Sequence, residues 1–220
     1  MKALNTEDRL VLGSLIGTLA GTGLAAFLTA PELFGVTALV LFGYLLAGMI
    51  ATHSERLAWL LVYGLVAGVL ELWVDWLHVV HLRTLVYTHS FGFSLLASPS
   101  YMPLGWCVVV AQFGYLALRL RDAWPPWTVV SVITLVGMLL PPWYEEFAAS
   151  AAAWHYTTES LKLSQTPTFV ILGYGGCMFT VAVLALTYYR PRFWGGAILA
   201  GLFASAGFAF WGLFWFSLLG

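Results

Sequence analysis

The sequence predicts an all-α fold: a polytopic integral membrane protein with seven transmembrane helices. Three observations carry that expectation. Of 220 residues, 61% are hydrophobic and only 9% charged, with a mean hydropathy of +0.88. A water-soluble domain of this size does not need so much apolar surface, so lipid is the solvent for most of the chain. The apolar residues fall into seven runs, each close to the roughly 20 helical residues that cross a hydrocarbon layer. Arginine and lysine alternate in step with those runs.

The first run, 10–30, follows "MKALNTEDRL". That start is too acidic, and the apolar run too long, for a cleaved signal peptide, so a retained first span is expected. Pro31 marks a tight turn into the second span, 33–51, and "HSER" leads to the third, 57–80. The fourth, 102–120, is separated by "RLRDAWPP" from the fifth, 127–144. The sixth covers 168–189, and "YYRPRF" turns the chain into the seventh, 193–219. Two connections are longer, 81–101 and 145–167. A single transmembrane domain therefore occupies residues 1–220.

With the N-terminus inside, Lys2, Arg9, Arg56, Arg119, Arg121, Arg190 and Arg192 lie on the inner side. Arg83 and Lys162 alone lie outside, and seven against two is the positive-inside pattern. It puts the C-terminus and both long loops on the outer face, with a prokaryotic cytoplasmic membrane as the expected location. A net charge of −1 gives no footprint for nucleic acid. Cys107 and Cys177 both sit inside apolar runs and read as small buried hydrophobes, not a disulfide framework. His53, in an inner connection, reads as solvated.

The two outer loops resemble each other. "SPSYMPLGW" (98–106) returns as "TPTFVILGY" (166–174), and "YTHS" (87–90) as "YTTES" (156–160). Asp75 precedes Tyr87 by 12 residues and Glu145 precedes Tyr156 by 11. Three features in the same order predict a parallel internal repeat of helices 3–4 and 5–6, about 57–120 and 127–189, around an axis along the membrane normal. Within the box, proline is expected to shape the first turn of the returning helix, and the preceding Ser or Thr to cap it. Two similar halves face to face make a seam, where substrate sites tend to form.

Charged groups within a span are costly and need a reason. "ELWVDWLHVVH" puts Glu71, Asp75 and His78 at i, i+4 and i+7, on one helical face. "LLPPWYEEF" brings Glu145 and Glu146 to a similar height in the other half. These five residues are the candidate catalytic groups. A carboxyl group in a dry pocket can retain its proton and deliver it to an alkene, and the resulting cation needs negative charge and aromatic faces. The aromatics expected near the acids are Trp73, Trp76, Tyr87, Trp106, Trp143, Trp154 and Tyr156, with His89 and His155 beside them. They are the candidate substrate-binding residues. Water captured by the cation gives an alcohol, and attack by an internal alkene gives a ring.

Two other readings use the same residues. Asp75, His78, His81, His89, Glu145 and His155 are types that bind iron, copper or zinc, with Asp75, His78, His81 and His155 the sharpest set. The HxxxH and HxxHH boxes of diiron membrane oxidases are missing, however. Alternatively the chain is a non-catalytic subunit of a larger membrane complex that binds lipid or pigment, its aromatics serving as interfacial anchors.

A glutamate late in a helix, an aromatic outer loop and a proline-marked return ending in Gly-Trp, followed by a Trp154-His155-Tyr156 loop and a second return, resemble a known layout. It is that of the integral-membrane carotenoid hydratases of carotenoid biosynthesis, and more distantly of the membrane lycopene and terpene cyclases. The resemblance covers about 57–189 and implies proton-driven addition of water to the end of a polyene, with Glu71 matching the helix-borne acid. It departs from the lycopene cyclases, whose Pro-x-Glu-Glu becomes Pro142-Trp143-Tyr144-Glu145-Glu146, and from the hydratases in "HSFGFSLL". The expectation is thus a lyase (hydratase) or cyclase working without metal or cofactor on an isoprenoid held in lipid, alone or as a homo-oligomer.

Overall fold

The structure is a computed structural model that describes residues 4–88, 92–158 and 160–220. It contains seven helices long and apolar enough to cross a membrane. They are α1 (Thr6–Leu28), α2 (Glu32–Thr52), α3 (Glu55–His81), α4 (Met102–Leu120), α5 (Pro126–Ser150), α6 (Thr168–Tyr188) and α7 (Trp194–Leu219). Large side chains such as Leu12, Ile16, Phe27, Val40, Ile50, Leu135 and Phe210 stay exposed on the outside of the bundle. Water would not tolerate such a surface, and hydrocarbon does.

Two helices run further than the apolar runs suggest. The α-helical part of α3 ends at Trp76, and residues Leu77–His81 continue it as a π-helical turn. Thr84 N–H then bonds the His78 carbonyl. In α5 the helix does not stop at 144 but continues to Ser150. Pro141 and Pro142 interrupt the backbone ladder after Leu139, yet they occupy the first turn of a new segment, where a missing N–H leaves nothing unpaired. Glu145 and Glu146 therefore stand on a helix instead of opening a loop.

The long loops are not irregular. Strand β1 (Leu85–Tyr87) in the first pairs antiparallel with β4 (Trp154–Tyr156) in the second, so both loops lie at one end of the bundle. The register sets Val86 opposite His155, flanked by Leu85–Tyr156 and Tyr87–Trp154. Outer bonds run from Thr88 N–H to the Ala153 carbonyl and from Thr157 N–H to the Thr84 carbonyl. Each loop then folds a small hairpin: β2 (Ser94–Leu95) with β3 (Ser98–Pro99), and β5 (Lys162–Leu163) with β6 (Thr166–Pro167). Leu96 and Ser164, first in the two-residue turns, both adopt positive φ, 52° and 56°.

This revises the reading of the Ser-Pro-Ser and Thr-Pro-Thr boxes. Neither hydroxyl residue caps a helix: α4 begins after Tyr101 and α6 after Pro167, with no side-chain cap at either. Ser98–Pro99 and Thr166–Pro167 are hairpin strands instead, and Ser98 Oγ donates to Asp75.

At the core, α3 packs against α4 and α7, α6 packs against α5 and α7, and α4 also touches α2 and α6. Gly64 and Gly68 let α3 and α4 approach backbone to backbone. A Cβ on them would stand 2.6 Å from the Cys107 carbonyl oxygen and 2.3 Å from that of Pro103. The ion pairs among the described residues gather at the end opposite the long loops: Asp8–Arg119, Glu7–Arg56, Glu55–Arg192 and Arg119–Asp122. Cys107 and Cys177 are free and buried.

Candidate functional site

A cavity of about 230 Å³ opens within the bundle, lined by residues of all seven helices and of β1 and β4. Glu71, Asp75, His78 and Glu145 line it, together with Tyr87, Trp106, Trp143, Trp154 and Tyr156. Helices α3 and α5 thus bring Glu71, Asp75 and Glu145 to one space.

Glu71 is 3% exposed and stands one helical turn before Asp75. The two carboxyl groups share one helical face. Asp75 Oδ2 accepts from Tyr87 Oη at 2.6 Å and from Ser98 Oγ at 2.7 Å. Asp75 is thus held by two hydroxyl donors, whereas Glu71 Oε2 is buried with no partner among the described residues. Burial, and then the adjacent Asp75 charge, push the Tyr87 phenol well above its ordinary pKa, so it remains a donor.

Glu145, 2% exposed, is held differently. Its Oε2 accepts from Trp154 Nε1 at 2.6 Å, and its Oε1 lies 3.5 Å from Tyr174 Oη. Thr166, at the position in the second box that Ser98 holds in the first, has a buried hydroxyl with no partner. His78 Nδ1 lies 3.0 Å from Thr84 Oγ1, while its Nε2 faces Gly212, where an added Cβ would come within 3.1 Å. Rings crowd the rest. Trp106 and Tyr174, the last residues of the two boxes, stack with centroids 5.6 Å apart, and Trp154 meets the edges of Phe34 and Tyr87.

Other expected residues lie elsewhere. Glu146 turns away to accept a hydrogen bond from Ser164 Oγ. Trp73 is 57% exposed on the outer surface and packs edge-on against Trp76, which in turn meets His81. None of these lines the cavity. His155 is exposed on β4, pointing away from the cavity as the central residue of a three-residue strand whose ends both line it. His89 lies outside the described residues. Asp75, His78, His81 and His155 are not brought together, and among the described residues no three His, Cys, Asp or Glu side chains form a metal-binding group.

Several lining residues went unnoticed in the sequence. Tyr174 carried a signal, since it matches Trp106 in the repeated box. Ser98 and its role with Asp75 were masked by the capping reading. Gln112, Thr18, Thr22, Tyr101 and Tyr144 also line the cavity. Gln112 was visible as an amide in mid-span, and the i, i+4, i+8 spacing of Ser14, Thr18 and Thr22 put three hydroxyls on one face of α1.

Fold and cavity together define a class: seven membrane-length apolar helices around a buried, carboxyl-bearing, aromatic cavity. The chain belongs to the family of DUF6989, a domain of unknown function, whose model matches residues 72–219. Asp75, Gln112 and Glu145 fall inside the matched stretch, and Glu71 falls one residue before it. Neither a curated protein nor a solved structure matched the chain.

Proposed function

We propose that this protein performs acid catalysis on an isoprenoid or carotenoid lipid, adding a proton to an alkene within the membrane. One observation carries the reading: the buried Glu71 carboxyl presents an oxygen with no partner among the described residues inside an apolar cavity, and in this reading that oxygen bears the proton. In the step proposed, the Glu71 O–H bond breaks as the alkene π pair forms a C–H bond, leaving a tertiary carbocation and a Glu71 carboxylate. Asp75, fixed by Tyr87 and Ser98, relays a replacement proton. Glu145 and the faces of Trp106 and Tyr174 surround the cation, the arrangement that stabilises developing positive charge. Water attacks the cation and loses a proton to a carboxylate, giving an alcohol. If an internal alkene attacks first and a neighbouring C–H proton is lost, the product is a ring. The likeness of layout to the carotenoid hydratases and the lycopene cyclases supports this chemistry.

The reading includes an orientation and a duplication. The basic residues support an N-terminus inside, a C-terminus outside and a cavity near the outer face of a prokaryotic cytoplasmic membrane. For a parallel duplication of 57–120 and 127–189, the support is that corresponding residues meet. Tyr87 and Tyr156 take exchanged places in the β1–β4 ladder, both hairpins turn through a positive-φ residue, and the last aromatics of the two boxes stack.

Glu71→Gln tests the reading. It keeps size and hydrogen bonding but has no proton of this acidity to give. Expressed in a carotenoid-producing host and assayed by mass spectrometry of the lipid extract, it should accumulate in the membrane. New product should fall by about two orders of magnitude or more. A variant that fails to accumulate, yet forms product normally per molecule, makes Glu71 a structural partner and contradicts the proposal.

A further inference from the structure

The cavity extends well past the acids. Gln112, 2% exposed, lines it together with Thr18 and Thr22. Gln112 Nε2 lies 3.1 Å from both Ser14 Oγ and Thr18 Oγ1. Those hydroxyls have their own protons committed to the α1 backbone: Ser14 Oγ donates to the Val11 carbonyl at 2.7 Å, and Thr18 Oγ1 to the Ser14 carbonyl at 3.0 Å. They can only accept, so the amide must turn its NH₂ toward them. Oε1 is then the free acceptor, and among the described residues nothing donates to it. Gln112 borders a space large enough for a ligand, so this acceptor is open to a donor from a molecule held there.

Its depth follows from the helix register. Gly68 meets Pro103, Gly64 meets Cys107 and Gly114 meets Leu60, so α3 and α4 run antiparallel and descend together. Gln112 is therefore about ten residues below Glu71, roughly 15 Å at the helical rise. Val108 and Val109, between the two levels on α4, also line the cavity and keep the intervening stretch apolar.

We propose that the cavity takes an elongated isoprenoid alcohol, its hydroxyl donating to Gln112 Oε1 at the deep end and its far alkene lying against Glu71. The placing of the alkene rests on the acid reading above, whereas the hydroxyl station rests on Gln112 and its α1 partners. An extended prenyl chain of a few isoprene units bridges the two polar stations, and a pure hydrocarbon leaves Gln112 Oε1 unpaired.

The test uses the full chain in lipid nanodiscs, in a Glu71→Gln background so that nothing turns over. Farnesol and its hydrocarbon counterpart β-farnesene are titrated while tryptophan fluorescence is followed, since Trp106 and Trp154 line the cavity. The ratio of their affinities is compared between proteins, which cancels partition into lipid. Farnesol should be favoured about tenfold more in the parent than in Gln112→Leu, the scale of one buried hydrogen bond, with farnesene affinity unchanged. Gln112→Met serves if Gln112→Leu does not accumulate. Equal ratios in parent and variant, or no binding of either probe, overturn the proposal. Equal ratios in parent and variant beside intact proton-transfer activity in the unsubstituted protein would sink only this inference. A hydroxyl preference that depends on Gln112 beside absent activity would sink only the acid reading.

Discussion

Asp75 Oδ2 collects hydrogen bonds from a loop tyrosine, Tyr87, and a hairpin serine, Ser98, while Glu71 keeps one oxygen free. That division gives two acids on one helix face different work. In the proposed step the group with two donors is stabilised as the acceptor, and its neighbour delivers the proton. Tyr87→Phe and Ser98→Ala each remove one donor without changing fold or volume much. Each should lower turnover roughly tenfold per molecule, the cost of a lost hydrogen bond to a charged group. Membrane accumulation should stay unchanged, and product formation normalised to protein measures it. Unchanged turnover with less protein would instead assign these bonds to folding. The pairing of Glu71 with Asp75 on one face was legible from i, i+4 spacing alone, because charge inside a span is rare and a helix has a fixed period. The donors to Asp75 were not legible, since they come from a loop folded back over the helix end. Likewise, nothing local separates Glu145 from Glu146. Only the helix that continues past Pro142 to Ser150 decides that the first faces the cavity and the second meets Ser164.

At the scale of elements, the spans could be read because hydropathy is a direct statement about solvent, and length about hydrocarbon thickness. The strands could not. They are two or three residues long, and β1 and β4, far apart in the sequence, acquire their ladder from each other. Close helix approach was equally hidden, because a glycine in an apolar run looks alike whether it faces lipid or a neighbour. Gly68 and Gly43 separate the cases. A Cβ on Gly68 would sit 2.3 Å from the Pro103 carbonyl oxygen, whereas on Gly43 it meets nothing within 4 Å. Gly68→Ala should therefore cost about 1–3 kcal/mol by forcing α3 from α4, and Gly43→Ala should be neutral or slightly stabilising. Thermal unfolding in detergent distinguishes them. Equal behaviour would contradict the α3–α4 contact, and with it the depth assigned to Gln112.

For the whole molecule, the separation of chemistry is vertical. Ion pairs gather at the end with the short connections, and the acid cavity lies toward the end with the loops. In the proposed orientation that axis runs from an ion-paired inner end to an outer end with the loops. A reporter fused after Gly220 should be active only outside, and one inserted at 121–125 only inside. Both reporting from one side would contradict the proposed orientation and the seven-span path it assumes.

The central claim, proton delivery to an isoprenoid alkene, is tested most directly by isotope. Purified protein in lipid nanodiscs is incubated with a carotenoid or prenyl substrate in D₂O, and the product is examined by mass spectrometry after back-exchange of hydroxyls. The account predicts product carrying at least one carbon-bound deuterium at the protonated alkene carbon, and product formation that collapses in Glu71→Gln. Product without carbon-bound deuterium, or undiminished deuterated product from Glu71→Gln, would contradict it.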